Sequence, residues 1–294
     1  MNTNESLNIA TAFKKPDWLR KKISLEACAP LKAHLKKHAL HTVCQEARCP
    51  NMGECFSRKK ATFLVLGDTC TRNCGFCALK KGSPSALDYA RIQVNKDTAA
   101  SMGLRHIVVT SVTRDDLPDG GAEYFAELTR ALQTIPGLTI ELLIPDFNGD
   151  QKALMAVIRA EPHIIGHNIE TVSRLYPRVR SKADFKRSLT VLSYIKEKNP
   201  SIYSKSGIML GLGEKTDEIL ETLDALRSVF CDFLSIGQYL QPTLNQVPVE
   251  RYVPPPEFDA YKKLALQKGF RAVASGPYVR SSYGADEYLS AKGL

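Results

Sequence analysis

The sequence has 294 residues, of which 44% are apolar, and its formal net charge is +9. This composition is typical of a globular protein with a sizeable core. No run of 18 apolar residues occurs and the first residues lack the apolar stretch of a secretory signal, so we expect a cytoplasmic protein without a membrane span.

The positive charge is concentrated in residues 1–60, which hold 12 Lys and Arg against 5 Asp and Glu. Such a segment is either a solvated basic arm or a surface that attracts an acidic protein. Few aromatic residues lie among these charges, so a stacking platform for nucleic acid is not expected. We therefore predict a protein partner and no nucleic acid.

From residue 62 onward, short apolar runs alternate with longer amphipathic stretches. Six runs predict strands: Thr62–Leu66, His106–Val112, Thr139–Ile144, His163–Ile169, Gly207–Gly211 and Phe233–Tyr239. The stretches between and after them predict helices near 86–102, 121–134, 150–160, 171–198, 216–229 and 256–268. This alternation indicates βαβ units and a parallel sheet. We predict an α/β fold, a partial (β/α)6 barrel of the TIM type, with a doubly wound sheet as the alternative.

The chain divides into three predicted regions. The barrel is expected over residues 61–270, after an N-terminal extension (1–60) and before a short C-terminal extension (271–294). Reactive groups of β/α barrels lie on loops at the carboxyl ends of the strands. Polar and glycine-rich segments follow the predicted strands here, so one face of the barrel should carry the site.

Six of the eight cysteines form two triplets, one spaced C-x3-C-x2-C (Cys70, Cys74, Cys77) and one spaced C-x4-C-x5-C (Cys44, Cys49, Cys55). Clustered cysteines in a reducing compartment bind metal more often than they form disulfides. Zinc is the main alternative, but it takes four ligands and is usually held by paired C-x2-C units. Three thiolates instead leave one iron of an iron–sulfur cube open. We therefore predict two 4Fe–4S clusters. Cys28 and Cys231 are predicted to be small buried apolar residues.

The spacing of Cys70, Cys74 and Cys77 resembles that of the radical S-adenosylmethionine family. The resemblance implies that S-adenosylmethionine chelates the open iron and is cleaved to methionine and a 5′-deoxyadenosyl radical. Phe76 matches the family position that packs near adenine; its alternative is an ordinary core role.

The second triplet, within Cys44-Gln-Glu-Ala-Arg-Cys49-Pro-Asn-Met-Gly-Glu-Cys55, closely resembles the auxiliary-cluster motif of lipoyl synthases. The resemblance continues over nearly the whole chain, in segments 15–20, 110–121, 141–147, 167–172, 205–214, 236–242 and 279–283. It implies that a serine of Arg280-Ser-Ser-Tyr283 completes the auxiliary cluster. Mapped by position, this serine is Ser282, with Ser281 as the alternative.

The resemblance also implies six contacts with S-adenosylmethionine, in three pairs: Thr110 with Ser111, Asn168 with Glu170, and Arg178 with Arg180. The first pair would approach the methionine amino group. The second alternates along a strand, so both side chains point to one face, suited to ribose hydroxyls or the amino group. The arginines would pair with the carboxylate, or are solvated helix charges.

Taken together, the resemblance implies insertion of two sulfur atoms at C6 and C8 of an octanoyl chain carried on a lysine. The auxiliary cluster would supply the sulfur. The implied partners are an octanoylated lipoyl carrier protein or lipoyl domain and an electron donor such as ferredoxin or flavodoxin. The alternative is another radical enzyme that inserts sulfur, similar to biotin synthase, which should lack the Cys44 triplet and the Arg-Ser-Ser-Tyr end.

Two loop segments are less easily assigned. Asp115 and Asp116 invite an acid–base role, but radical hydrogen abstraction needs no general base, so we expect them to shape or cap the loop. Leu244-Asn-Gln-Val247 departs from the histidine-rich sequence that the family often carries there, and no family role is transferred to it.

Overall fold

The computed structural model describes residues 15–20, 41–46, 49, 51–57, 62–284 and 288. Cys28 lies outside these residues. Among the helices of the described part of the chain, none is long and apolar enough to cross a membrane.

The core of the fold is one eight-stranded sheet. Its strands are β1 (His41–Thr42), β2 (Thr62–Val65), β5 (His106–Ser111), β6 (Thr139–Leu143), β7 (Ile164–Gly166), β8 (Tyr203–Leu210), β9 (Phe233–Gln238) and β10 (Ala272–Gly276), in that spatial order. All neighbours pair in parallel except the antiparallel β1 and β2. A doubly wound sheet would reverse its strand order at a switch point. The sequential order confirms the α/β class and the partial barrel.

Helices connect successive parallel strands and pack on the sheet through one continuous apolar core. The barrel helices are α3 (Ala90–Ser101), α4 (Ala122–Gln133), α5 (Gln151–Arg159), α6 (Tyr176–Val179), α7 (Phe185–Lys198), α8 (Thr216–Ser228) and α9 (Pro255–Gln267), after α1 (Val43–Glu46) and α2 (Met52–Ser57). Two aspartates cap helix starts: Asp150 accepts from the Lys152 amide at 2.8 Å and Asp184 from the Arg187 amide at 2.7 Å. These caps satisfy amide groups that the helix leaves unpaired.

Three features differ from the expectation. The sheet has a seventh parallel strand, β10, inside the segment predicted as C-terminal extension. β8 begins at Tyr203 rather than Gly207, because the charge of Lys205 is buried by pairing with Glu141 at 2.8 Å. The helix predicted over 171–198 is divided into a 3-10 turn (Ser173–Leu175), α6 and α7, with Arg180 between α6 and α7 in a non-helical conformation.

Candidate metal centres and active-site cavity

The first cysteine triplet lies on the loop that follows β2. This loop contains a small two-stranded sheet, β3 (Thr69–Cys70) with β4 (Lys80–Lys81). The Cys70 sulfur accepts hydrogen bonds from the backbone amides of Arg72 and Thr113, each at 3.4 Å. The amide of Cys77 donates to the Cys74 carbonyl at 3.2 Å, which folds the second half of the triplet into a turn. The three thiols therefore lie at the carboxyl end of the sheet.

Arg72, a buried residue inside the triplet, anchors this loop to the next two βα loops. Its guanidinium lies 2.7 Å from Asp115 and 2.7 Å from Asp146, and it donates to Asn148 at 2.7 Å. Burial alone would raise the pKa of Asp146, but hydrogen bonding and charge from Arg72 outweigh it and lower that pKa. Asp115 thus shapes the loop, and Asp116 pairs with Arg114 at 2.8 Å.

The second triplet is built on two short helices at the edge of the sheet. Cys44 is in α1, Cys55 is in α2, and the Cys49 amide between them donates to the Cys44 carbonyl at 3.0 Å. The three side chains form a small apolar cluster that rests on Met102 and Val94 of the barrel. The chain turn therefore gathers three cysteines that are spread over twelve positions of sequence.

A turn near the carboxyl end of the chain covers this second triplet. Asn51 donates to the Tyr278 carbonyl at 2.6 Å, and the Tyr283 hydroxyl donates to Glu54 at 2.9 Å. Both contacts join the segment of the second triplet to the segment that carries Ser282. These contacts join residues 51–54 to residues 278–283.

One cavity of about 790 Å³ is lined by all three cysteines of the second triplet and by Cys77 of the first. Its lining includes five of the candidate cluster ligands: Cys44, Cys49, Cys55, Cys77 and Ser282. Four candidate S-adenosylmethionine contacts also line it: Phe76, Thr110, Asn168 and Glu170. Ser111, Arg178 and Arg180 lie outside this lining, as do Cys70 and Cys74.

The cysteines suit iron–sulfur clusters by their chemistry. The seven described cysteines are all free thiols. Burial raises the pKa of Cys44 and of Cys77 to about 12, so these thiols need the positive charge of bound metal to ionise. Among the described residues, no group of three His, Cys, Asp or Glu side chains that could hold a metal ion is found. Each triplet supplies three thiolates, the ligand number that leaves one iron of a cube open.

Polar contacts tie Asn168 and Glu170 to the C-terminal turn. Asn168 donates to Glu170 at 3.0 Å and accepts from the Ser281 hydroxyl at 3.0 Å. Glu170 has a left-handed backbone (φ 66°), and burial raises its pKa. β7 ends at Gly166, so Asn168 and Glu170 lie beyond the strand rather than alternating along it as expected. Their hydrogen bond and their shared place on the lining still make one polar patch at the cavity.

Most of the remaining candidate S-adenosylmethionine contacts are engaged with other residues of the protein. The Thr110 hydroxyl donates to the Leu143 carbonyl at 2.8 Å, while the buried Ser111 hydroxyl has no hydrogen-bond partner among the described residues. Arg178 is half exposed and pairs with Glu250 at 2.6 Å. Arg180 is buried and donates to the Asn168 carbonyl at 2.9 Å. Burial raises the pKa of Cys74 and of Glu170, and the positive charge of Arg180 lowers the same two pKa values.

Sequence reasoning missed two groups of residues at the site. Gln246 donates to the Cys77 carbonyl at 3.3 Å, and the Val247 amide donates to the Gly75 carbonyl at 2.9 Å. Half-buried Arg280 lines the cavity beside Cys49 and donates to the Val279 carbonyl at 2.6 Å. Arg280 had a signal in its place in the 279–283 motif, whereas Gln246 and Val247 lie outside the motifs and had none.

Comparison with known proteins agrees with this geometry. Residues 64–226 match the model of the radical SAM superfamily. Lipoyl synthase of Caldanaerobacter subterraneus subsp. tengcongensis is 52% identical, covering 94% of this chain and 98% of that protein. Lipoyl synthase of Caldicellulosiruptor saccharolyticus is 53% identical, covering 93% and 97%.

Solved structures share the fold at low sequence identity. Methylornithine synthase has a TM-score of 0.54 at 16% identity, covering 85% of this chain and 72% of that one. SuiB of Streptococcus suis bound to its precursor peptide has a TM-score of 0.55 at 14% identity, covering 94% and 58%.

The partial barrel with a three-cysteine loop after its first parallel strand defines a radical S-adenosylmethionine enzyme. Within that superfamily, the chain belongs to the lipoyl synthase family.

Proposed function

We propose that this enzyme inserts sulfur at C6 and C8 of a protein-bound octanoyl-lysine, and that the two cysteine triplets hold its two 4Fe–4S clusters. Cys70, Cys74 and Cys77 would hold the cluster that binds S-adenosylmethionine. The second set, Cys44, Cys49, Cys55 and Ser282, would hold the auxiliary cluster. The observation that carries the proposal is that Cys77 of the first triplet lines the same cavity of about 790 Å³ as the three cysteines of the second triplet.

When bound, the first cluster and S-adenosylmethionine supply a radical that can abstract hydrogen from an unactivated C–H bond, and the auxiliary cluster supplies sulfide. The chain's own residues position the reactants between these groups. Apolar side chains, among them Leu143, Ile208 and Met209, line the cavity and suit an alkyl chain.

Ser282 is the stronger candidate for the fourth auxiliary ligand. The Ser281 hydroxyl already donates a hydrogen bond to Asn168 at 3.0 Å. Ser282 lines the cavity with Cys44, Cys49 and Cys55, and Tyr283 beside it is held by Glu54. An alkoxide is a harder ligand than thiolate, so this corner is the one that we expect to open most easily.

We propose that the S-adenosylmethionine end of the cavity is formed by Phe76, Thr110, Asn168 and Glu170. Support comes from their common position on the lining and from the Asn168–Glu170 hydrogen bond. Ser111 and the two arginines would act from behind this layer. Arg180 is the better placed of the arginines, because its buried charge influences both Cys74 and Glu170.

We further propose that the substrate is carried by a lipoyl carrier protein or lipoyl domain, and that a small redox protein such as ferredoxin or flavodoxin supplies electrons. The basic composition of residues 1–60 supports an acidic protein partner. A reducing cytoplasm would keep the cysteines available for iron.

Anaerobic turnover of an octanoyl-lysine peptide with dithionite and S-adenosylmethionine tests the reaction. We expect the dithiolated peptide as product and about eight irons per chain after reconstitution, four for each cube. Cys44→Ala should lower the iron content and abolish product, whereas Cys231→Ala is the matched control because this buried thiol lies outside both triplets. Absence of mono- and dithiolated product in the loaded enzyme would refute the proposed function.

A further inference from the structure

β9 passes unusually close to the C-terminal turn at Gly237. A Cβ atom placed on Gly237 would lie 2.1 Å from the Val279 carbonyl oxygen and 3.1 Å from the Val279 carbonyl carbon. Real Cβ atoms essentially never approach another heavy atom to within 3.0 Å. The bare backbone of Gly237 is therefore required for the turn to lie where it does.

A side chain at position 237 would displace the turn rather than β9, because β9 is fixed within the sheet. Every residue of β9 is buried, and Gly237 is paired with Met209 on one side and with Gly276 on the other. Val279 lies outside the sheet, on the turn that follows β10, where its amide donates to the Gly276 carbonyl at 3.0 Å.

Ser282 is only three positions beyond the contact. The Tyr283 amide donates to the Arg280 carbonyl at 2.9 Å, so residues 280–283 form one tight turn. A displacement at Val279 is therefore passed directly to Ser282, which shares the cavity with the auxiliary cysteines.

We infer that Gly237 is a positioning residue for the auxiliary cluster: it seats the Val279 carbonyl and so sets the reach of Ser282. The inference rests on the proposed function, which makes Ser282 a ligand. β9 carries no candidate ligand, but through Gly237 it would help to place the fourth ligand of the auxiliary cluster.

Gly237→Ala tests the inference, and Gly276→Ala is its matched control. Gly276 is the residue paired with Gly237 on β10, and a Cβ there would meet only the Val279 side chain at an ordinary 3.6 Å. Two measurements are made on each full-length, anaerobically reconstituted protein. One is hydrogen exchange over residues 278–284. The other is the rate at which a chelator removes iron in a Cys70→Ala, Cys74→Ala, Cys77→Ala background, where the auxiliary set alone remains.

We expect Gly237→Ala to accelerate exchange in the turn and to accelerate iron release about 10–100-fold, the usual effect of disturbing groups that orient metal ligands. Ser282→Ala should accelerate iron release similarly. Gly276→Ala should match the parent in both measurements. Equal exchange in the two glycine variants would overturn the inference, as would unchanged iron release in Gly237→Ala when Ser282→Ala accelerates it.

Failure of the proposed function gives a different result. If Ser282→Ala leaves iron release unchanged, the ligand assignment is wrong, and exchange alone then decides whether Gly237 seats the turn. Should Gly237→Ala not fold, Arg280→Ala removes the donor to the same carbonyl without altering β9. Faster exchange over 278–284 in that variant supports the Val279 carbonyl as the seat, and unchanged exchange contradicts it.

Discussion

Arg72 organises the loop that carries the first cysteine triplet, although it is not one of the candidate metal ligands. It is only 5% exposed and contacts Asp115 and Asp146, which lie on the loops after β5 and β6. Guanidinium can bind two carboxylates in a fixed geometry, and a lysine cannot reproduce that fork. The position of the triplet is therefore set by three consecutive βα loops.

We predict that Arg72→Ala lowers reductive cleavage of S-adenosylmethionine about 10–100-fold, because it frees the loop that holds Cys70 and leaves Asp146 buried without its main partner. Arg174→Ala is the control, since Arg174 makes a comparable forked pair with Glu218 on the surface. The cleavage rate in dithionite measures the effect. Equal rates in both variants would show that Arg72 does not organise the loop.

His167 makes the stability of the protein depend on pH. Burial and the neighbouring charge of Arg180 lower its pKa from 6.5 to about 4. Its Nδ1 lies 3.0 Å from the Ile144 carbonyl, which can only accept, so the neutral ring carries its proton there. Below pH 6.5 the unfolded state takes up a proton that the folded state does not, so stability falls as the pH falls towards 4.

The predicted loss from His167 between pH 7 and pH 5 is about 2 kcal/mol in the free energy of unfolding. Urea unfolding at the two pH values measures it. His167→Gln should reduce the pH dependence by that amount, even though it lowers stability overall. An unchanged dependence in the variant would assign the effect to other groups.

At the scale of elements, the segment from Gln241 to Val247 acts as a brace for the first cysteine loop. It is bonded internally, with Thr243 donating to Gln246 at 2.6 Å, and externally through Gln246 and Val247 to the carbonyls of Cys77 and Gly75. Within this segment, residues 244–247 are the ones at which the sequence departs from the family pattern. Its role is carried partly by a backbone amide, which many sequences can supply.

Removal of the Gln246 side chain tests the brace. Gln246→Ala loses one neutral hydrogen bond to the cysteine loop, worth about 1 kcal/mol, so we predict about a fivefold fall in the rate of peptide thiolation. Asn245→Ala, at the exposed neighbouring position, should leave the rate unchanged. If both variants react at the parent rate, the backbone contacts suffice to hold the loop.

At the scale of the whole molecule, the barrel interior contains a buried ion pair. Lys205 of β8 lies 2.8 Å from Glu141 of β6, each 1% exposed, and His106 of β5 lies 3.2 Å from the same carboxylate. The Lys205 ammonium also lies 4.3 Å from the centre of the Tyr288 ring. Removing one partner from such a pair leaves an uncompensated buried charge.

Lys205→Met should therefore destabilise the protein by about 3–5 kcal/mol, and the double variant with Glu141→Gln should recover part of the loss. Lys268→Met, which breaks a surface pair with Asp224, should cost at most about 1 kcal/mol. Chemical unfolding gives all three values. A loss in the double variant as large as in Lys205→Met would show that the unpaired charge is not the cause.

The ion pair also shows where sequence analysis reached its limit. Alternating apolar runs predicted the parallel strands because local periodicity carries that information. The start of β8 was not predicted, because Lys205 is charged and its partner Glu141 lies two strands away in the sheet. Similarly, cysteine spacing indicated two metal sites, and the resemblance named Ser282. Nothing local indicated that Asn51 would bind Tyr278, or that Arg72 would join Asp115 to Asp146.

The contacts that cover the Cys44 triplet have a consequence for biosynthesis. Asn51 and Glu54 bind residues that follow them by 227 and 229 positions. A chain that emerges from the ribosome amino end first cannot make these contacts until Tyr278 and Tyr283 have been synthesised. The Cys70 loop and its partners Asp115 and Asp146 emerge much earlier. The nascent protein can therefore form the contacts of the Cys70 loop with Asp115 and Asp146 well before it can form those that cover the Cys44 triplet.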